Sequence, residues 1–110
     1  MLRYLRNHDA ISEAEQVILA QKRVLVVGCG GLGGYAIECL ARIGVGHLRV
    51  VDGDVFDETN LNRQLLSSSM NLGRPKTLAA QQRVMAVNPL VEVEAFQTLL
   101  IAENAVPLLD

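Results

Sequence analysis

A cluster of glycines lies between a short apolar run and a helix-like segment, in the order Gly28-Cys29-Gly30-Gly31-Leu32-Gly33. Glycines at such a junction permit a tight turn and let an anion approach the backbone. The N–H groups and the dipole of the following helix can then hold that anion. A lone G-x-G-x-x-G pattern is weak evidence, but here it has the strand–loop–helix context that anion binding requires. The predicted phosphate-binding residues are Gly28, Gly30, Gly31, Leu32 and Gly33.

A carboxylate, Asp52, ends the second apolar run, nineteen residues after Gly33. A carboxylate at the end of the second strand of such a unit accepts hydrogen bonds from ribose hydroxyls. The spacing suits NAD and ATP equally. It therefore predicts a nucleotide without naming which one.

A long polar segment follows Asp52 and separates these two nucleotides. It contains two cations, Arg63 and Lys76, downstream of the predicted phosphate loop. Cations in this position suit an enzyme that breaks a phosphoanhydride, because they neutralise the charge that develops as pyrophosphate leaves. Hydride transfer needs instead a flat pocket for nicotinamide. The further polar candidates of the segment are Asp54, Asn60 and Gln64.

The elements that must position these residues alternate between strand and helix. Continuous or alternating apolar runs predict strands over 23–27, 47–51 and 91–96. The first is a continuous apolar run rich in β-branched valine, which is typical of a strand buried on both faces of a parallel sheet. Helical patterns cover 11–21, 35–44, 77–87 and 102–109, the first with a capping box from Ser12 to Glu15. The order predicts an α/β fold, Rossmann-like and doubly wound, with a mainly parallel sheet.

Two units are expected, an N-terminal helical segment over 1–22 and a nucleotide-binding domain over 23–110. An open parallel sheet of this class generally has more than three strands, so an exposed sheet edge is expected. The pattern indicates an apparently truncated domain, or one that a partner completes.

Composition excludes several classes of function. The net charge is −2, with ten basic residues scattered among twelve acidic ones, so no nucleic-acid surface is indicated. No apolar run approaches the roughly 18 residues of a membrane span, and a cytoplasmic location is expected. Cys29 and Cys39 form no C-x-x-C pair, so no metal site is predicted. Both are interpreted as small buried side chains.

The combination of GCGGLG, VVDGD, NLNRQ and GRPK closely resembles the ThiF/MoeB/HesA family, relatives of the ubiquitin-activating enzymes. The resemblance extends from about Arg3 to Leu109. It implies that the glycines bind the phosphates of ATP and that Asp52 binds its ribose. Asn60, Arg63 and Lys76 resemble the residues around the triphosphate. Arg6 resembles an arginine that one subunit of a dimer inserts into the site of its partner.

This resemblance implies an adenylyltransferase that uses ATP and Mg²⁺. The Gly-Gly tail of a ubiquitin-like sulfur-carrier protein would be adenylated at its carboxylate, releasing pyrophosphate. A homodimer is expected. Members of the family continue with a strand that carries a magnesium-binding aspartate, so the magnesium ligand is expected beyond residue 110. Two alternatives remain open, a non-catalytic scaffold or regulator of the same fold and an NAD(P)-binding oxidoreductase domain.

Overall fold

The computed structural model describes residues 2–110, which form a three-stranded parallel sheet with helices on both faces. The strands are β1 (Arg23–Val27), β2 (His47–Val51) and β3 (Glu92–Phe96), in the spatial order β1-β2-β3. The helices are α1 (Glu13–Ala20), α2 (Gly31–Ile43), α3 (Lys76–Val87) and α4 (Ala102–Leu109). Two 3₁₀ helices, Leu2–Asp9 and Glu58–Asn60, complete the regular structure.

The predicted fold class and element order are confirmed, and most predicted boundaries lie within two residues of those observed. The Ser12 hydroxyl accepts a hydrogen bond from Glu15 N (3.1 Å), and Ser12 N donates to Glu15 Oε1 (2.9 Å), which is the predicted capping box. Gly44 ends α2 in the left-handed region at φ 100°. There a residue with a Cβ would be strained.

The core lies between the sheet and the pair α2 and α3. In-register residues of the three strands, such as Val26, Val50 and Ala95, point toward this side. Ile37 of α2 and Val84 of α3 are almost completely buried against them. Burial of such side chains stabilises each by about 1.5–3 kcal/mol.

The opposite face of the sheet is charged and carries α4. Arg49, in the middle of β2, forms an ion pair with Glu94 and donates a hydrogen bond to Leu108 O (2.8 Å). Central β2 is therefore covered on both faces. The glycine loop, at the carboxyl ends of the strands, lies outside both of these layers.

Strand β1 corrects one expectation. It lies at the edge of the sheet, it pairs only with β2 among the described residues, and Val27 is 53% exposed. The prediction that this strand is buried on both faces is therefore wrong. A run rich in β-branched residues indicates a preference for the extended backbone. The burial of the strand depends instead on its position in the sheet and on the elements that pack against it.

Within residues 2–110 the longest helix has thirteen residues, and no helix is both long and apolar enough to cross a bilayer.

Candidate functional site

The glycine loop turns sharply because the backbones of Gly28 and Gly33 lie very close together. Gly28 adopts φ 94° and its N–H donates to Val51 O (2.7 Å). A Cβ on Gly33 would lie 1.7 Å from Gly28 O. Only glycine fits at both positions, so the close turn between β1 and α2 is a property of this pair.

Gly30 and Gly34 are instead packed against the following polar segment. A Cβ on Gly30 would contact the Gln64 amide at 3.3 Å, and one on Gly34 would contact Leu66 Cγ at 3.3 Å. Gly31 differs from both, because a Cβ there would meet nothing within 4 Å. Its φ is not positive either. The fold therefore places no demand on Gly31, which begins α2 and leaves its backbone open to an approaching anion.

Leu32, at the predicted phosphate loop, is 90% exposed. It contributes a backbone N–H within the first turn of α2, where the helix leaves its N–H groups without intrahelical partners.

The Asp52 carboxylate joins the end of β2 to the glycine loop. Its Oδ2 accepts a hydrogen bond from Cys29 N (2.8 Å), and its Oδ1 accepts one from Asp54 N (2.8 Å). Each carboxylate oxygen has a second acceptor position, and the side chain is only half-buried. Asp52 therefore fixes the loop and keeps acceptor capacity for a further hydrogen bond. Asp54 is exposed beside it.

Backbone hydrogen bonds join two segments of the polar region next to Lys76. Lys76 N donates to Asp54 O (3.0 Å) and Phe56 N donates to Arg74 O (3.1 Å), beside an antiparallel bridge between Val55 and Pro75. Lys76 is only 7% exposed, and its Nζ lies 5.5 Å from the centre of the Phe56 ring. These backbone contacts thus hold a largely buried cation at the start of α3.

The charge of Lys76 acts on the glycine loop. Burial, followed by the Asp52 carboxylate, raises the pKa of the Cys29 thiol to about 12, and the Lys76 ammonium opposes this rise. Lys76 therefore lies close enough to the loop for its field to be felt there. Cys29 is protonated at neutral pH and is a buried packing residue. Cys39 is exposed, so the expectation that both cysteines are buried is wrong for Cys39.

Asn60 is buried and organises the polar loop. Its Oδ1 accepts from Asp57 N (2.9 Å), and its carbonyl oxygen accepts from Gln64 N (2.9 Å). Gln64 is 7% exposed, and its Oε1 has no hydrogen-bond partner among the described residues. Asn60 therefore fixes the loop through its side-chain oxygen. Gln64 packs against Gly30, and its Oε1 remains able to accept a hydrogen bond.

Arg63 is exposed and points into its own loop. Its Nη1 donates to Thr59 O (3.0 Å) and to Asn62 Oδ1 (2.9 Å). Neither acceptor belongs to the glycine loop.

Arg6 lies at the other end of the domain. It is exposed on the 3₁₀ helix Leu2–Asp9, whose Asn7 donates to Ile43 O and whose Arg3 donates to Val87 O. These carbonyls belong to the last residues of α2 and α3, whereas the glycine loop adjoins the first residue of α2. Thirteen helical residues span about 20 Å. Arg6 is therefore remote from the glycine loop of its own chain.

The structure thus brings together the glycine loop, Asp52, Gln64 and Lys76, and it leaves Arg6 outside. Phe56 was missed at the sequence level, although one aromatic residue within a polar, glycine-bearing segment is a signal of local burial.

Two surface cavities lie away from this cluster. One, of about 320 Å³, is on the charged face of the sheet beside Leu108, and the other, of about 420 Å³, is lined by Arg3, Asn7 and Arg42 among others. Neither of these two cavities includes a residue of the glycine loop.

The strand–glycine loop–helix unit and the parallel sheet define a Rossmann-type α/β domain. Residues 4–110 match the ThiF family, and the chain belongs to this family.

Two relatives illustrate the family. The chain is 45% identical over 91 residues to the sulfur carrier protein adenylyltransferase of Thermus thermophilus, covering 83% of this chain and 34% of that protein. It is 41% identical over 104 residues to the SAMP-activating enzyme E1 of Haloferax volcanii, covering 93% of this chain and 38% of that protein. The chain thus spans little more than a third of either relative.

Among solved structures, the fold is similar to the Escherichia coli tRNA N6-threonylcarbamoyladenosine dehydratase TcdA in complex with ATP. The TM-score is 0.94 at 29% identity, covering 98% of this chain and 44% of that chain.

Proposed function

We propose that this chain is the ATP-binding part of an adenylyltransferase, which activates the C-terminal carboxylate of a ubiquitin-like sulfur-carrier protein. The observation that carries the proposal is the cluster of the glycine loop, Asp52 and the buried cation Lys76. The names of the relatives support it. Identity to the sulfur carrier protein adenylyltransferase is 45%, against 29% to TcdA, which favours a sulfur-carrier substrate over a tRNA.

In the proposed reaction, a carboxylate oxygen of the carrier protein attacks the α-phosphorus of ATP. A new P–O bond forms, the bond to the β-phosphate oxygen breaks, and pyrophosphate leaves as an acyl-adenylate forms. The glycine loop would hold the phosphates on backbone N–H groups, and Asp52 would accept from the ribose. Lys76 and Arg63 would neutralise the charge that builds up on the leaving pyrophosphate.

The remaining predicted site residues have supporting roles in this proposal. Asn60 and Gln64 shape the wall of the site, and Asp54 lies at its rim. Arg6 is too far from its own glycine loop to contribute there. We therefore propose that it acts in the site of a second copy of the chain, in a homodimer.

The described residues form no cluster that would hold a magnesium ion on protein ligands alone. Mg²⁺ prefers oxygen ligands, and carboxylates above all. Within residues 2–110 no three His, Cys, Asp or Glu side chains lie together as a possible metal site. We therefore assign the ion no ligand among these residues.

Calorimetric titration of the chain with ATP in magnesium buffer, AMP and NAD⁺ tests the nucleotide assignment. We expect binding of ATP and AMP. Preference for NAD⁺ would instead favour an oxidoreductase domain.

ATP–pyrophosphate exchange then separates an enzyme from a non-catalytic scaffold. Exchange should depend on a sulfur-carrier protein with an intact Gly-Gly terminus, and a carrier that lacks this dipeptide is the matched control. Binding of ATP without any exchange would favour the scaffold.

A further inference from the structure

We propose that Phe56 is the positioning residue of Lys76, and that its ring holds the ammonium group ready for the phosphates of the nucleotide. This inference rests on the proposed function, because it assigns to Lys76 a phosphate ligand. Phe56 itself touches no ligand in this proposal. It acts only through the lysine.

The contact has the geometry of a cation–π interaction. Lys76 Nζ lies 5.5 Å from the ring centre, within the roughly 6 Å over which such an interaction is significant. Phe56 is 1% exposed and Lys76 is 7% exposed. Most of both side chains is thus removed from water, and partial desolvation strengthens a cation–π attraction.

The contact with the Phe56 ring leaves the ammonium N–H donors of Lys76 without hydrogen-bond partners in the described part of the chain. Within residues 2–110, no carboxylate lies within 4.0 Å of Lys76 Nζ, and no side-chain or backbone oxygen accepts from it. An ion pair would cancel the positive charge and occupy one or more of the three N–H donors. An aromatic face leaves both the charge and the donors available to an incoming phosphate.

Backbone hydrogen bonds fix the positions of Phe56 and Lys76 relative to each other. Phe56 is hydrogen-bonded on both sides, from its N–H to Arg74 O (3.1 Å) and at its carbonyl from Gly73 N (2.8 Å). Lys76 N is tied to Asp54 O two residues before the ring.

A double-mutant cycle tests the inference. The variants Phe56→Leu, Lys76→Met and the double variant are titrated with ATP and with inorganic tripolyphosphate, which has neither ribose nor base. In the presence of Lys76, Phe56→Leu should weaken both affinities by roughly 3- to 10-fold, the size of a cation–π contribution. In the Lys76→Met background the same change should have no effect.

Val84→Ala is the matched control, because Val84 is 1% exposed in the core of α3 and belongs to no part of the site. It should lower the free energy of unfolding without changing either affinity. Equal losses from Phe56→Leu in both backgrounds would mean that the ring acts by packing alone, and would overturn the inference. Failure of the wild-type chain to bind either ligand would instead overturn the proposed function.

An NMR measurement on the wild-type chain keeps the inference testable if Phe56→Leu does not fold. The Lys76 Hε protons should be shifted upfield by the ring current of Phe56. Hε protons at the chemical shift of an ordinary solvated lysine would overturn the contact, whatever the chain binds.

Discussion

The Asp52 carboxylate accepts a 2.8 Å hydrogen bond from the backbone N–H of Cys29, so the end of β2 is bonded directly to the glycine loop that follows β1. This bond makes Asp52 part of the loop before any nucleotide arrives. Its oxygens also keep acceptor capacity on the open side, which the proposed function assigns to the ribose.

We expect Asp52→Asn to weaken ATP binding by about 10- to 100-fold. The charged acceptor is lost, and hydrogen bonds to charged groups contribute about 1.5–3 kcal/mol. Calorimetric titration with ATP measures the effect. Glu103→Gln, at an exposed position of α4, is the control and should bind as the wild type does. Unchanged ATP affinity in Asp52→Asn would leave the carboxylate with a purely structural role.

Gly31→Ala and Gly33→Ala should affect different properties, the first ATP binding and the second the stability of the fold. Gly33→Ala forces a methyl group to 1.7 Å from Gly28 O and should destabilise the fold by about 1–3 kcal/mol or more. Gly31→Ala meets open space and should leave the free energy of unfolding within about 1 kcal/mol of the wild-type value. It should nevertheless weaken ATP binding by about tenfold, because the methyl group occupies the approach to the backbone. Urea unfolding and calorimetry check the pair, and normal ATP affinity in folded Gly31→Ala would contradict it.

Arg63→Ala should lower the rate of ATP–pyrophosphate exchange by about 10²–10³, the typical cost of removing one electrostatic clamp. The Arg63 side chain bonds only to Thr59 O and Asn62 Oδ1 of its own loop, so little prevents it from turning to a phosphate. Arg42→Ala is the control, since Arg42 is exposed on α2 and pairs with Glu38. Similar losses in both variants would remove the special role of Arg63.

Glu38 should make stability depend on pH. Hydrogen bonds from Arg83 and then Arg42 hold the pKa of the Glu38 carboxyl below its ordinary value of 4.5. A lowered folded-state pKa contributes stability that is fully present above pH 4.5 and is lost as the pH falls through the lower, folded-state value. Glu38→Gln should therefore be less stable than the wild type at pH 7, and the difference should shrink below pH 4.5. Unfolding curves at several pH values measure this, and a constant difference down to pH 3 would contradict it.

The two thiols should react at very different rates. The pKa of Cys29 is raised to about 12 by burial and by Asp52, whereas Cys39 is exposed on α2. A thiol-specific reagent at pH 8 should modify one equivalent in the native chain and two after denaturation. Rapid modification of both thiols in the native chain would show that the loop around Cys29 opens.

Much of the site could be predicted from local pattern. The tight turn follows from glycine identity alone, and a carboxylate after a parallel strand lies at the same sheet edge as that turn. The placement of Gly28, Gly33 and Asp52 at one edge of the sheet therefore follows from the sequence. The alternation of strands and helices determined the fold class for the same reason, because hydrophobic period and turn chemistry are local properties.

Tertiary structure decided which residues meet. Lys76 lies above Phe56 because backbone bonds join segments some twenty residues apart, and no sequence pattern states that pairing. The exposure of β1 depends on its place in the sheet, and the remoteness of Arg6 depends on where the first 3₁₀ helix packs. The sequence by itself determined the turn, the fold class and the kinds of side chain available. Packing between distant segments decided which glycine the fold leaves open and which cation faces the loop, since both depend on contacts that exist only in the folded chain.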